Sequence, residues 1–377
     1  MMSMDKIKKL LADLIAIPSM NPMGRSRSGP EYAEGAIADF VASYLRGRSI
    51  DVELDEVAPG RPNVVGQIDV GAKDTLMLEA HLDTVHTDNM VIEPFTPKEV
   101  DGKVYGRGAC DTKGSLAAFI RAVCSLLERG RKPKYNVVFV ATADEEYRFT
   151  GAQKAVARGL KASFGIAGEP TQLRIVATHK GVTRWRITTR GIAAHSAYPE
   201  RGDNAIYTMG DVLVRLDEYA ESLSGETRHP TLGAASLSVG VIEGGQAVNI
   251  VPDRCWIEID RRTLPGETTE EILRPVRCLL REVPNWSFDE PHLSVPGINV
   301  EPEATIMKLL TPAIVDILGE VQVESAHYAT DAGIYNAAGI PTVVFGPGDI
   351  RQAHTSDEYI ELKQVHQAVE IVTRILQ

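Results

Sequence analysis

The sequence predicts an α/β fold: a mainly parallel mixed sheet sandwiched by helices, with a ferredoxin-like α+β domain inserted into it. Three observations carry that prediction. Short apolar runs alternate with helically spaced segments in the first half of the chain, a different rhythm begins after about residue 180, and the first rhythm resumes beyond about residue 291.

At the N-terminus Lys6, Lys8 and Lys9 precede an apolar run over residues 10–17. Asp13 interrupts the run and no small-residue cleavage site follows, so an amphipathic helix ending near Pro18 is expected in place of an export signal. Residues 75–80 and 135–142 are short apolar runs of the kind buried strands show, and between them 114–129 carries apolar residues at helical spacing and stops at Gly130. This βαβ order implies parallel strands covered by helices. Asp101-Gly102 marks a hairpin within 98–105. Residues 183–190 then read as a strand, 204–223 as a helix, 235–243 and 254–262 as strands, 267–281 as a helix and 286–289 as a strand. That βαββαβ order is the ferredoxin-like pattern. A helix at 304–318, a strand at 342–345 and a helix at 361–376 close the chain. The expected domains are therefore 1–181 with 292–377, and an inserted unit at 182–291.

Composition narrows the function. With 377 residues and a formal charge of -11, the chain has no basic tract able to follow a phosphate backbone, so nucleic acid is not an expected partner. No other apolar stretch approaches the ~20 residues of a membrane span. Four scattered cysteines without a CxxC pair fit a reducing compartment, so a cytoplasmic protein is expected.

The chemistry-bearing residues fall at strand ends, where open α/β sheets place their ligand crevice. His81 and Asp83 follow the first strand, Asp111 follows Gly106-Arg107-Gly108-Ala109-Cys110, and Asp144, Glu145 and Glu146 follow the second. Glu169 follows the run 164–168, and His354 follows Gly346-Pro347-Gly348. So dense a set of carboxylates repels itself unless a cation neutralises it, and imidazole with carboxylate suits zinc. Neither a Gly-x-Ser-x-Gly elbow nor a P-loop or dinucleotide fingerprint occurs.

The stretches 79–85, 105–114, 143–146, 168–171 and 353–354 resemble the zinc amidohydrolase and exopeptidase family, which contains acetylornithine deacetylase, succinyl-diaminopimelate desuccinylase, aminoacylase and carboxypeptidase G. The resemblance implies two zinc ions per chain, with cobalt or manganese also compatible with the ligands. Asp111 would bridge them, His81 and Glu169 completing one site, Glu146 and His354 the other. Asp83 would accept the ring N–H of His81 and fix its tautomer. A bridging hydroxide would attack the amide, with Glu145 as general base. Two positions depart from the family pattern: Ala80 and Ala329 stand where glycine is common. Cys110, beside Asp111, is read as a buried small hydrophobe and not as a ligand.

In the inserted domain, the segment 191–196 is similar to the family segment whose histidine, here His195, reaches the partner's active site in dimeric members and stabilises the oxyanion. Asn249 matches a substrate-positioning asparagine and Arg262 the arginine that clamps the substrate carboxylate. Strand alternation puts Arg262 on the face of Asp260 and Glu258, with Arg261 opposite. A homodimer through the inserted domain is expected. The stretches 168–171, 179–181, 201–206, 264–266 and 346–359 look most like acetylornithine deacetylase, so the expected reaction is amide hydrolysis of an N-acyl amino acid such as N-acetylornithine. Succinyl-diaminopimelate or a dipeptide is the alternative substrate. A non-catalytic binding protein on this fold is a distant third reading, because binding alone has no need of Glu145.

Overall fold

The computed structural model describes residues 4–226 and 228–377. They form two compact units. One runs to Ala177 and takes in Val300–Glu324 and Thr330–Gln377; the other is Thr178–Asn299 with Ser325–Ala329.

The first unit is built on a mixed sheet. Its strands lie in the order Asp51–Ala58, Arg61–Ile68, Asn136–Thr142, Thr75–His81, Phe164–Ala167, Thr342–Val344 and then Ile175–His179, of which residues 178–179 are counted with the second unit. The central pairings are parallel, whereas the leading hairpin, its pairing to Asn136–Thr142, and the Val344–Val176 contact are antiparallel. Thr75–His81 and Asn136–Thr142 are buried beyond their first residue on both faces, which explains why they read as continuous apolar runs. Phe164–Ala167, buried throughout, is the strand expected ahead of Glu169, whereas the leading hairpin and the short strand Ile175–His179 were not expected. Helix Met4–Ile15 buries Ile7, Leu10, Leu11, Leu14 and Ile15, as an amphipathic helix should. Helix Gly114–Leu127 is buried along nearly its whole length, and helix Leu362–Leu376 presents Val365, Val369 and Val372 to the core.

The four central parallel strands end on one edge. From that edge leave His81, the turn 143–146, Gly168-Glu169 and the segment that leads to His354. Asp111 joins them from the loop preceding helix Gly114–Leu127. That loop turns at Gly108 in the left-handed conformation (φ 77°), where a Cβ would stand 2.7 Å from the Thr84 methyl, so only glycine fits.

The second unit has strands Gly181–Arg190, Ser236–Gly244, Arg254–Thr263 and Trp286–Phe288, with helices Ala205–Glu226 and Thr269–Leu280. All paired strands are antiparallel, and the sheet order places the first strand between the third and the fourth, which is ferredoxin-like. Trp185, Ile187, Met209, Leu216, Ile257 and Leu273 form its core. A capping box of Thr268 and Glu271 starts the second helix. The unit extends past the expected limits of 182 and 291 because Leu293–Val295 adds to the sheet beside Val182–Arg184, and Lys180 N–H donates to Ala326.

Candidate metal centre

His81, Asp111, Glu145, Glu146 and Glu169 come together in the first unit in two overlapping groups: His81 with Asp111 and Glu146, and His81 with Glu145 and Glu169, with ligand atoms within 4.8 Å of one another in each. The two oxygens of Asp111 face different histidines. Oδ1 lies 3.0 Å from His81 Nε2, and Oδ2 lies 3.2 Å from His354 Nε2. Glu169 stands 3.8 Å from His81 on the first side, and Glu146 is 3.1 Å from His354 on the second. His81, Asp111 and Glu169 are buried, while half of the His354 side chain is exposed. His354 sits at a left-handed φ of 62°, a conformation that costs a non-glycine residue energy and that recurs where a side chain must be aimed.

The electrostatics show what this cluster lacks. Burial and the Asp111 charge push the Glu169 carboxyl well above its usual range, and the same causes take Glu146 to about 7. Burial likewise raises Glu145, against the charge of His81. Hydrogen bonds to Asp111 and Glu146 raise His354 to about 10. Burial alone would lower His81, but its bonds to Asp111 and Asp83 carry it well upward. Among the described residues, His81 and His354 are the cationic groups that oppose the rise of these carboxyls, and Glu146 Oε1 is buried without a hydrogen-bond partner. Oxygen and imidazole donors, an unpartnered buried oxygen and an excess of negative charge fit a pair of divalent cations.

Asp83 faces both the His81 ring and the turn that carries Glu145 and Glu146. His81 Nδ1 is 2.9 Å from the main-chain carbonyl of Asp83 and 3.6 Å from its carboxylate. The carboxylate also accepts the main-chain N–H of Glu145 at Oδ1 and of Glu146 at Oδ2, both at 3.1 Å. Asn21 Nδ2 donates to Asp83 Oδ2 (2.7 Å) and to Asp144 Oδ1 (2.9 Å), and Arg61 joins Asp144 to the fully buried Glu34.

Cys110 is buried, with Sγ 3.3 Å from the Asp349 carbonyl, and belongs to neither metal-binding group. The remaining residues of interest lie in the second unit. Pairing of Ala194 with Val251 and His195 with Ile250 sets His195 beside Asn249, whose carbonyl accepts Ser196 N–H. Both residues are exposed. Arg262 is half-buried on the face of Asp260 and Glu258; its Nε donates to Asp260 Oδ1 at 2.8 Å. Arg261 points into the core and bonds Glu267.

Sequence reasoning gave no role to Asn21, Glu34, Arg61, Arg107 or Glu358. Glu358 lies in a stretch that carries the family resemblance, but its burial was invisible: an acid in Asp357-Glu358-Tyr359 reads as a solvated turn.

Comparison with known proteins bears on the family and the fold. The profile described as "Peptidase family M20/M25/M40" matches residues 77–377. An acetylornithine deacetylase from Myxococcus xanthus is 33% identical over 359 residues, 90% of each chain. Among solved structures, an M20 family metallo-carboxypeptidase from Sulfolobus solfataricus superposes with a TM-score of 0.79 at 18% identity, covering 99% of this chain and 98% of that one. A dinuclear metal-binding peptidase of the M20 family from Bacillus subtilis superposes at 0.70 with 18% identity, covering 99% and 97%. These likenesses show the fold, and the profile and the deacetylase show the family. The chain belongs to peptidase family M20/M25/M40 and is a hydrolase of that family.

Proposed function

We propose that this enzyme hydrolyses the amide bond of an N-acyl amino acid, N-acetylornithine or a related N-acetyl amino acid, with two divalent ions, zinc in the first instance and cobalt or manganese as substitutes. The observation that carries the reading is the two-sided Asp111, with one carboxylate oxygen toward His81 and the other toward His354. The acyl specificity rests on the 33% identity to a deacetylase.

Asp111 holds both ions in this reading. His81 and Glu169 complete one set of ligands, Glu146 and His354 the other. Bound ions polarise the scissile carbonyl and lower the pKa of the attacking water. The charge of His81 opposes the rise of the Glu145 carboxyl, and this upward-shifted group is suited to take the proton of the water and return it to the leaving amine. Main-chain bonds from Glu145 and Glu146 to Asp83 hold the base and its neighbouring ligand in one register. Arg262 is assigned to the substrate carboxylate, Asn249 to substrate positioning, and His195 to the oxyanion of a partner subunit.

A homodimer through the second unit is part of the same reading. Strand Ser236–Gly244 ends its sheet with Val241 and Ile242 exposed, and helix Ala205–Glu226 exposes Tyr207 and Val214. An unprotected edge beside exposed apolar side chains favours a second copy. All four cysteines are free, three of them buried, which supports the cytoplasm as location. Among the described residues, no helix is long and apolar enough to cross a membrane.

The test is hydrolysis of N-acetyl, N-succinyl and dipeptide substrates before and after chelation. Chelator-sensitive cleavage of N-acetylornithine is expected. Preference for a dipeptide moves the enzyme to the peptidases, and no turnover on any substrate contradicts the proposal.

A further inference from the structure

Glu358 supplies no atom to either metal-binding group, yet it is the most heavily hydrogen-bonded acid in the first unit's catalytic edge. Its Oε2 accepts Arg107 Nη1 at 2.7 Å and Gly108 N–H at 3.0 Å; its Oε1 accepts Cys110 N–H at 2.8 Å and Asp111 N–H at 3.0 Å. A carboxylate offers about four acceptor positions, and all are used here. Those N–H groups belong to an irregular loop with no regular ladder to satisfy them, so the loop's shape depends on an acceptor brought from elsewhere in the chain.

That acceptor arrives on the segment that carries His354. Strand Tyr359–Glu361 pairs with Lys103–Tyr105, and Glu358 also accepts Gly106 N–H through its main-chain carbonyl. A second path closes the circuit. Arg107 Nη2 donates to Asn89 Oδ1 at 3.2 Å, and Asn89 Nδ2 donates to the His354 carbonyl at 3.2 Å. Asp111, Glu358, Arg107, Asn89 and His354 therefore form a ring of contacts that returns to Asp111 through its Oδ2.

We propose that Glu358 is a positioning residue: it locks the loop bearing Asp111 to the segment bearing His354 and so sets the spacing of the ion site between them. The inference rests on the two-ion reading given above. A buried ion pair contributes little net stability over an apolar replacement, and in this proposal its use is to hold one register between two ligands from distant segments.

The experiment is titration of the metal-free protein with Co2+, followed by absorption and calorimetry, for the parent, Glu358→Gln and Glu358→Asp. A core variant, Val372→Ala, serves as a control for lost stability. The parent is expected to bind two Co2+ ions. Glu358→Gln keeps the size but loses the charge and half of the acceptors, so one of the two ions is expected to bind about 10–100-fold more weakly. Val372→Ala, with a lowered Tm, keeps parental affinity for both. Should Glu358→Gln fail to fold, Glu358→Asp keeps the charge at a shorter reach, and the same weakening is expected of it. Folded Glu358 variants with parental affinity for both ions overturn the positioning role and leave the two-ion reading intact. A parent that binds fewer than two ions overturns both.

Discussion

His81 Nδ1 meets the main-chain carbonyl of Asp83 at 2.9 Å, while the Asp83 carboxylate stands 3.6 Å from that nitrogen and caps the main-chain N–H groups of Glu145 and Glu146. Asp83 therefore touches the His81 ring and also holds the turn that carries Glu145, the base of the proposed reaction. Asp83→Asn puts an NH2 where an acceptor is needed against two N–H donors and Asn21. We expect kcat to fall about 10–100-fold with both ions retained. Steady-state kinetics with metal analysis checks this; loss of an ion at unchanged kcat per loaded enzyme would show that the carboxylate serves His81 after all.

The proposed reaction gives the adjacent glutamates separate duties. Glu145→Gln is expected to retain both ions and lose about 10²–10⁴-fold in turnover. Glu146→Gln is expected to lose one ion, because Glu146 Oε2 faces His354 and Oε1 has no other partner. Metal content and kcat measured on both variants distinguish them, and the opposite pattern would exchange their roles.

What could be read from the sequence follows the physics of burial. Thr75–His81 and Asn136–Thr142 announced themselves because both faces are covered, and so did the helices with one strongly apolar stripe. The hairpin Asp51–Ala58 and Arg61–Ile68 was missed, since its mixed burial leaves neither alternation nor an unbroken apolar run. The histidines and acids of the centre were legible because metal ligands are few in kind and stand at strand ends. Asn21, Arg61 and Glu358 were not, because their work depends on partners 62, 83 and 248 residues away that no local spacing reveals.

Association through the second unit is expected to be sensitive to its exposed edge. Ile242→Glu places a charge on strand Ser236–Gly244, where it would face a second copy. Sedimentation should show a monomer, with activity lost in parallel if His195 acts on the partner's substrate. A parent that is monomeric and fully active contradicts both the dimer and the role of His195.

Stability should also depend on His179, which is buried in the second unit with Nδ1 2.9 Å from the Lys180 carbonyl. Burial lowers its pKa to about 4 from 6.5. The unfolded chain binds a proton below 6.5 and the folded chain only below about 4, so the contribution is complete above pH 6.5 and is lost as pH falls through that window. The loss amounts to about 3 kcal/mol. Urea unfolding at pH 7, 5.5 and 4.5 should show the parent losing more stability than His179→Asn by that order; equal slopes would mean that His179 is not the group responsible.

The most direct measurement is a crystal structure of the zinc-loaded enzyme with anomalous data at the zinc edge. Two peaks about 3.5–4 Å apart are predicted on either side of the Asp111 carboxylate, one against His81 and Glu169, the other against Glu146 and His354. A single peak, or two peaks that do not share Asp111, would contradict the two-ion centre.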